Sequence, residues 1–114
     1  MSHLSILPTV VRDQEQLAAA LGDLGFEPMA GGVIGGFAGE AIRVELQVAV
    51  TPDQRLGWQR QTDGSLALVG DLQRLSRSHA LQQLIGAITR RYALRLALLE
   101  AMDQLPMATL HPAS

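Results

Sequence analysis

The chain has 114 residues, a formal net charge of −2 and 47% hydrophobic residues, which fits one globular domain with a single core. It contains no cysteine, which excludes disulfides, thiolate nucleophiles and cysteine-ligated metals and fits a cytosolic compartment. All nine basic residues are arginine, so Schiff-base chemistry on lysine and a phosphate-loop lysine are excluded too.

The opening stretch MSHLSILPTVV has no basic n-region and no small-residue cleavage site, so no secretory signal is expected. No apolar run reaches the roughly 18 residues of a spanning helix, so no membrane insertion is expected either. Residues 4–11 predict a strand, with Leu4, Ile6 and Val10 alternating against Ser5, Thr9 and Val11. Pro8 has no N–H for a ladder bond and so predicts an edge position or a bulge. Asp13 reads as a helix N-cap with Gln16 completing a capping box. Leu17, Leu21 and Leu24 supply that helix's apolar stripe, and Gly25 terminates it.

The glycine-rich stretch GGVIGGFAG, residues 31–39, raises the question of phosphate binding. It lacks both the dinucleotide and the phosphate-loop spacing, and a strand follows it where a phosphate loop needs a helix. It predicts a short strand, VIGGF, between tight turns. AIRVELQVAV then alternates strictly: Ile42, Val44, Leu46, Val48 and Val50 point one way, Arg43, Glu45 and Gln47 the other. That pattern predicts one continuous strand of an antiparallel sheet with one buried face. TPDQ predicts a turn, RLGWQRQ a second strand, Asp63-Gly64 a hairpin, and SLALVGDL the third strand of a meander. A long helix is predicted over 79–103, burying Leu81, Leu84, Ile85, Ile88, Tyr92, Leu96 and Leu99. The order predicts an α+β two-layer domain, strand–helix–meander–long helix, with an antiparallel sheet and both helices on one face. Residues 1–104 form that single domain, and 105–114 are a Pro-containing tail expected to fray.

Chemistry-bearing residues are sparse. His3, His79 and His111 have no metal-ligand spacing, so neither a metal nor another cofactor is expected. A catalytic group could be drawn from Ser2 or Ser5 with His3 and Asp71, although a hydrogen-bonded structural histidine is the plainer reading. Trp58 is in phase with Leu56 and predicts a core residue. The charge distribution is more informative. Residues 1–57 carry three arginines against seven acids, and 58–114 six against four. Within 74–95 there are five arginines (Arg74, Arg77, Arg90, Arg91, Arg95) and no acid. Arg91 and Arg95 share a helix face, with Arg90 beside them. Leu94 and Leu98 widen the apolar stripe past what one sheet face covers. This constellation predicts contact with a protein partner or a second copy. A pI near 5.8 and only four aromatic residues argue against nucleic acid.

With these segments in place, the chain resembles an uncharacterised family of cyanobacteria and algal plastids, called hypothetical chloroplast reading frame thirty-five (domain of unknown function 1257). The matching pieces run in order. MSHLS carries Ser2, His3 and Ser5; LAAALGDLG matches the family's first helix; GGFAG carries Gly36, Phe37 and Gly39. LGW carries Gly57 and Trp58, GDL carries Asp71, and RRYAL carries Tyr92 and Ala93. Departures include Leu4 for a common phenylalanine, Phe37 for tyrosine, and Arg55 for an aspartate. Many relatives continue past the long helix into a further strand, so the resemblance implies a sheet edge open to a partner. It also implies a cyanobacterial cytoplasmic or plastid stromal location, and it supplies no activity. The expectation is a small non-enzymatic binding or assembly subunit acting through the long helix. The alternatives are a small-ligand protein or enzyme using His3 and Asp71, and a nucleic-acid accessory protein.

Overall fold

The computed structural model of the protein describes residues 4–35 and 39–104. The elements run β1 (Leu4–Leu7), α1 (Gln14–Asp23), β2 (Met29–Ala30), β3 (Val33–Gly35), β4 (Ala41–Arg43), β5 (Leu46–Thr51), β6 (Gln54–Arg60), β7 (Leu66–Asp71), α2 (Leu72–Arg77) and α3 (His79–Gln104). Five strands form an antiparallel sheet in the order β1-β7-β6-β5-β2, and β3 and β4 form a separate hairpin. The fold is α+β with an antiparallel sheet, as the element pattern predicts.

The first strand is shorter than the predicted 4–11. It stops at Leu7 because Pro8 has no N–H to continue the ladder with β7. Beyond the proline, the Thr9 hydroxyl donates to the Leu66 carbonyl and Val11 O accepts from Leu66 N at 2.7 Å. The chain therefore keeps its place beside β7 without strand pairing.

α1 begins as its cap predicts. Asp13 is extended, and its carboxylate accepts from Gln16 N at 3.1 Å. The reciprocal half of the capping box is absent, because Tyr92 takes the Asp13 N–H and Arg95 takes the Gln16 side chain. α1 buries Leu17, Ala20 and Leu21 against α3 and the sheet, and Gly25 follows its end at φ +92°.

The predicted continuous strand over 41–50 is in fact two strands. Glu45 N donates to Trp58 O at 2.7 Å while Leu46 is the register partner of Trp58. Two residues thus oppose one, which is the count of a β-bulge. The extra residue reverses the phase of the alternation. Leu46 and Val48 join the core under the helices, with Leu56, Trp58, Leu66, Leu68 and the helix residues Leu75, Leu81, Ile88 and Tyr92. Ile42 and Val44 join a second, smaller core with Ile34, Val69 and Leu4. The β3–β4 hairpin therefore covers part of the sheet face that the helices leave open. Gly57 makes this possible: a Cβ there would lie 2.7 Å from Val44 Cγ1 and 2.8 Å from Ile34 Cγ1. Gln47, predicted on the face opposite the apolar residues, is buried there; it donates to Gly31 O at 2.9 Å and accepts from Arg55 Nη1 at 2.9 Å.

The glycine question resolves as geometry. Gly32 has φ +93°, and a Cβ there would sit 2.1 Å from Gln47 Nε2. The residue provides a left-handed turn and room for the Gln47 amide. Gly39, at φ +80°, opens the way into β4. Gly36 and Phe37 lie outside the described residues.

α2 is a short helix that periodicity does not predict. It starts because Asp71 Oδ1 accepts from Gln73 N at 3.0 Å and Arg74 N at 3.3 Å. α3 matches the predicted long helix, but Leu99 is exposed rather than buried. At 26 residues the helix is about 39 Å long, well over the roughly 23 Å of a seven-residue strand. Its final turns therefore run past the sheet and meet no core among the described residues.

Candidate functional site

The residues that sequence pattern assigns to an interaction all lie on α3, and the structure divides them into two groups. Arg91 and Arg95 converge on one carboxylate of α1. Asp23 Oδ2 accepts from Arg91 Nε at 2.9 Å and from Arg95 Nη1 at 2.7 Å. Arg95 Nε also donates to Gln16 Oε1 at 3.0 Å. The hydrogen bond from Arg91, followed by that from Arg95, holds the Asp23 carboxyl below its ordinary pKa. These two arginines therefore clasp α1 to α3, and no signal in the sequence pairs them with an acid some 70 residues away. Arg90 is exposed, with its guanidinium lying over Gly86.

The second group is apolar. Leu94 and Leu98 are 46% and 56% exposed, and Leu99 and Met102 are 44% and 61% exposed. Leu94, Leu98 and Met102 are spaced four apart and so form one continuous row along the helix. Leu99 stands beside the row, and Ala97 and Ala101 are exposed with it. Sequence pattern picked out Leu94 and Leu98 but not Met102, and it assigned Leu99 to the core. The helix period predicts which way a side chain points, but not where the core ends. Burying a leucine is worth about 1.5–3 kcal/mol, so this row leaves a substantial driving force unused.

The other motif residues have structural partners. Tyr92 is buried, and its hydroxyl accepts from Arg12 N and Asp13 N, each at 3.0 Å. Trp58 is buried in the helix-side core, Ser5 is paired with Gly70 on β1, and Ala93 is exposed. Asp71 caps α2, and its Oδ2 is buried without a hydrogen-bond partner among the described residues. Ser2 and His3 lie outside the described residues, so the His3–Asp71 pairing does too. Among the described residues no group of three histidine or carboxylate side chains is placed to hold a metal ion. Nor is any helix long and apolar enough to cross a membrane.

No curated protein and no solved structure matches the chain. Residues 20–105, three-quarters of the length, match the family described as Protein of unknown function (DUF1257). That span runs from the middle of α1 to the end of α3 and includes the Gly57, Asp71 and Tyr92 motifs noted in the sequence. The chain belongs to this family of unknown function.

Proposed function

We propose that the protein is a small non-enzymatic binding or assembly subunit whose contact surface is the C-terminal half of α3. The observation that carries this reading is the row Leu94, Leu98 and Met102, with Leu99 beside it, exposed where the helix outruns the sheet. The partner in this reading is a protein with an apolar helix or groove bordered by acidic residues. Arg90, Arg91 and Arg95 adjoin the start of the row, and among the described residues Asp23 alone pairs with them, which leaves a positive surplus at that end, while Glu100 and Asp103 lie on the last turns. A second copy would bring the same surplus against itself. Apolar burial would supply the affinity and the arginines orientation and on-rate. The family resemblance implies that this happens in a cyanobacterial cytoplasm or plastid stroma.

The absence of native cysteine makes the test specific. Ala101→Cys, on the exposed face beside the row, takes a photocrosslinker, with Thr62→Cys in the exposed hairpin turn as the control position. The expected result is one adduct with an acidic protein at position 101. It should be competed by unlabelled protein, weakened by salt, and lost when Leu94→Glu and Leu98→Glu are added. Adducts that survive the double substitution would overturn the proposal. So would self-adducts alone, because the occupant would then be a second copy.

A further inference from the structure

The acid-free segment begins with Arg74 and Arg77, which the α3 surface does not use. They lie at the opposite end of the helix, over a cavity of about 480 Å³. Its floor is apolar, formed by Val50 at the end of β5 and by Leu81 and Leu84 in the first turns of α3. Its rim is cationic, and among the described residues no carboxylate lines it. Arg74 reaches only Asp53, at 3.7 Å between two exposed side chains, while Arg77 makes no hydrogen bond or ion pair among the described residues. Gln54 also lines the cavity, and its Nε2 is shielded from solvent without a partner. A buried amide N–H without an acceptor is costly.

The start of α3 forms one wall. Ser78 caps it, its Oγ accepting from Leu81 N at 3.1 Å and its carbonyl from Gln82 N at 3.1 Å. The first turn of this 26-residue helix contains no acid. Ser78 and Ala80 line the cavity together with Arg74 and Arg77, so the positive end of the helix borders the same space as the two arginines. Two arginines and one helix terminus border an apolar floor, with the unpartnered amide of Gln54 in the wall beside them. The volume lies within the range of small-molecule sites.

We infer that this cavity binds a small amphipathic carboxylate, with its apolar body on Val50, Leu81 and Leu84 and its charge held by Arg77 and Arg74. On binding, Gln54 turns its amide outward, and Nε2 gains in the carboxylate the acceptor it lacks. The site is independent of the proposed α3 surface, since residues 80 and 98 are about 27 Å apart along the helix.

The test is a titration of the full chain followed by amide and arginine side-chain resonances, with octanoate as the probe. Octanoate should shift the Gln54 side-chain amide, the Arg77 Nε–H and the Ala80 and Leu81 amides in a saturable way. Arg77→Gln, at an exposed position, should weaken binding about tenfold, and Ala80→Phe should block it by filling the cavity mouth. Octanol and acetate should each bind at least about tenfold more weakly, because each lacks one half of the recognition. Equal binding of octanol would show that the arginines play no part. Equal binding of acetate or inorganic phosphate would reduce the site to a plain anion contact. Either result, or shifts elsewhere with these resonances unmoved, overturns the inference. None of them bears on the crosslinking test at Ala101.

Discussion

Tyr92 shows how one side chain can join distant parts of this chain. Its hydroxyl takes two backbone N–H groups, from Arg12 and Asp13, just before α1 begins. Tyr92→Phe keeps the ring and leaves both donors unpaired beside the core. The expected cost is about 1–3 kcal/mol, read as a lower denaturation midpoint in urea with an unchanged slope. Gly31 and Gly32 form a second, internally controlled case. Both have positive φ, but only at Gly32 would an added Cβ meet the Gln47 amide. Gly31→Ala should cost about 1–2 kcal/mol for the left-handed backbone alone, and Gly32→Ala measurably more. Equal midpoints for the two variants would show that the Gln47 contact does not matter. Residues of this kind were only half legible in sequence. Gly57 and Tyr92 stand out as motif positions, but their reasons, a hairpin pressed on the sheet and a hydroxyl reaching residue 12, are long-range contacts that no local pattern carries.

Among the elements, the clasp between α1 and α3 depends on ionised Asp23. Because the folded-state pKa of Asp23 is lowered by Arg91 and Arg95, its stabilisation is fully present above the ordinary carboxylate range of about pH 4. It is lost as pH falls through the lowered value. The stability difference between wild type and Asp23→Asn should therefore stay constant from neutral pH down to about 5 and shrink below 4. It should also be smaller in high salt, since the ion pair is partly exposed. The β3–β4 hairpin makes a separate prediction. Gly57→Ala places a methyl where Val44 and Ile34 now lie. Hydrogen exchange should speed up in β3 and β4 while β6 and β7 keep their protection. Caps, turns and the meander were readable because each is a local signal: Asp13 before α1, Asp63-Gly64 between β6 and β7. α2 was missed because it is a single short helix, and Asp71, read as a candidate for chemistry, is its cap.

For the whole molecule, the disproportion between a 26-residue helix and a sheet of shorter strands decides which apolar residues are left outside. Leu94→Glu with Leu98→Glu should change the melting temperature little, because both side chains are already exposed. The same pair should weaken partner binding by about 100-fold or more, taking the lower end of about 1.5 kcal/mol per leucine. A large fall in stability instead would mean that the row is part of the core. Sequence period located Leu94 and Leu98 on the right helix but could not show where the sheet stops, so Met102 and Leu99 became visible only in three dimensions.

The bulge at Glu45 and Leu46 has a genetic consequence. One unbroken stretch of chain supplies apolar residues to both faces of the sheet, and a single inserted residue separates the two allegiances. A codon deletion at Glu45 would look disruptive, since it breaks the regular alternation of the sequence. It would nevertheless leave Ile42 and Val44 on their own face, because it removes the extra residue and makes Val44 the direct neighbour of Leu46, and neighbours on a strand point to opposite faces. A deletion at Arg43 or Gln47 keeps the extra residue and turns an apolar residue to the wrong face. In-frame deletions scanned through residues 41–50 should thus be best tolerated at Glu45.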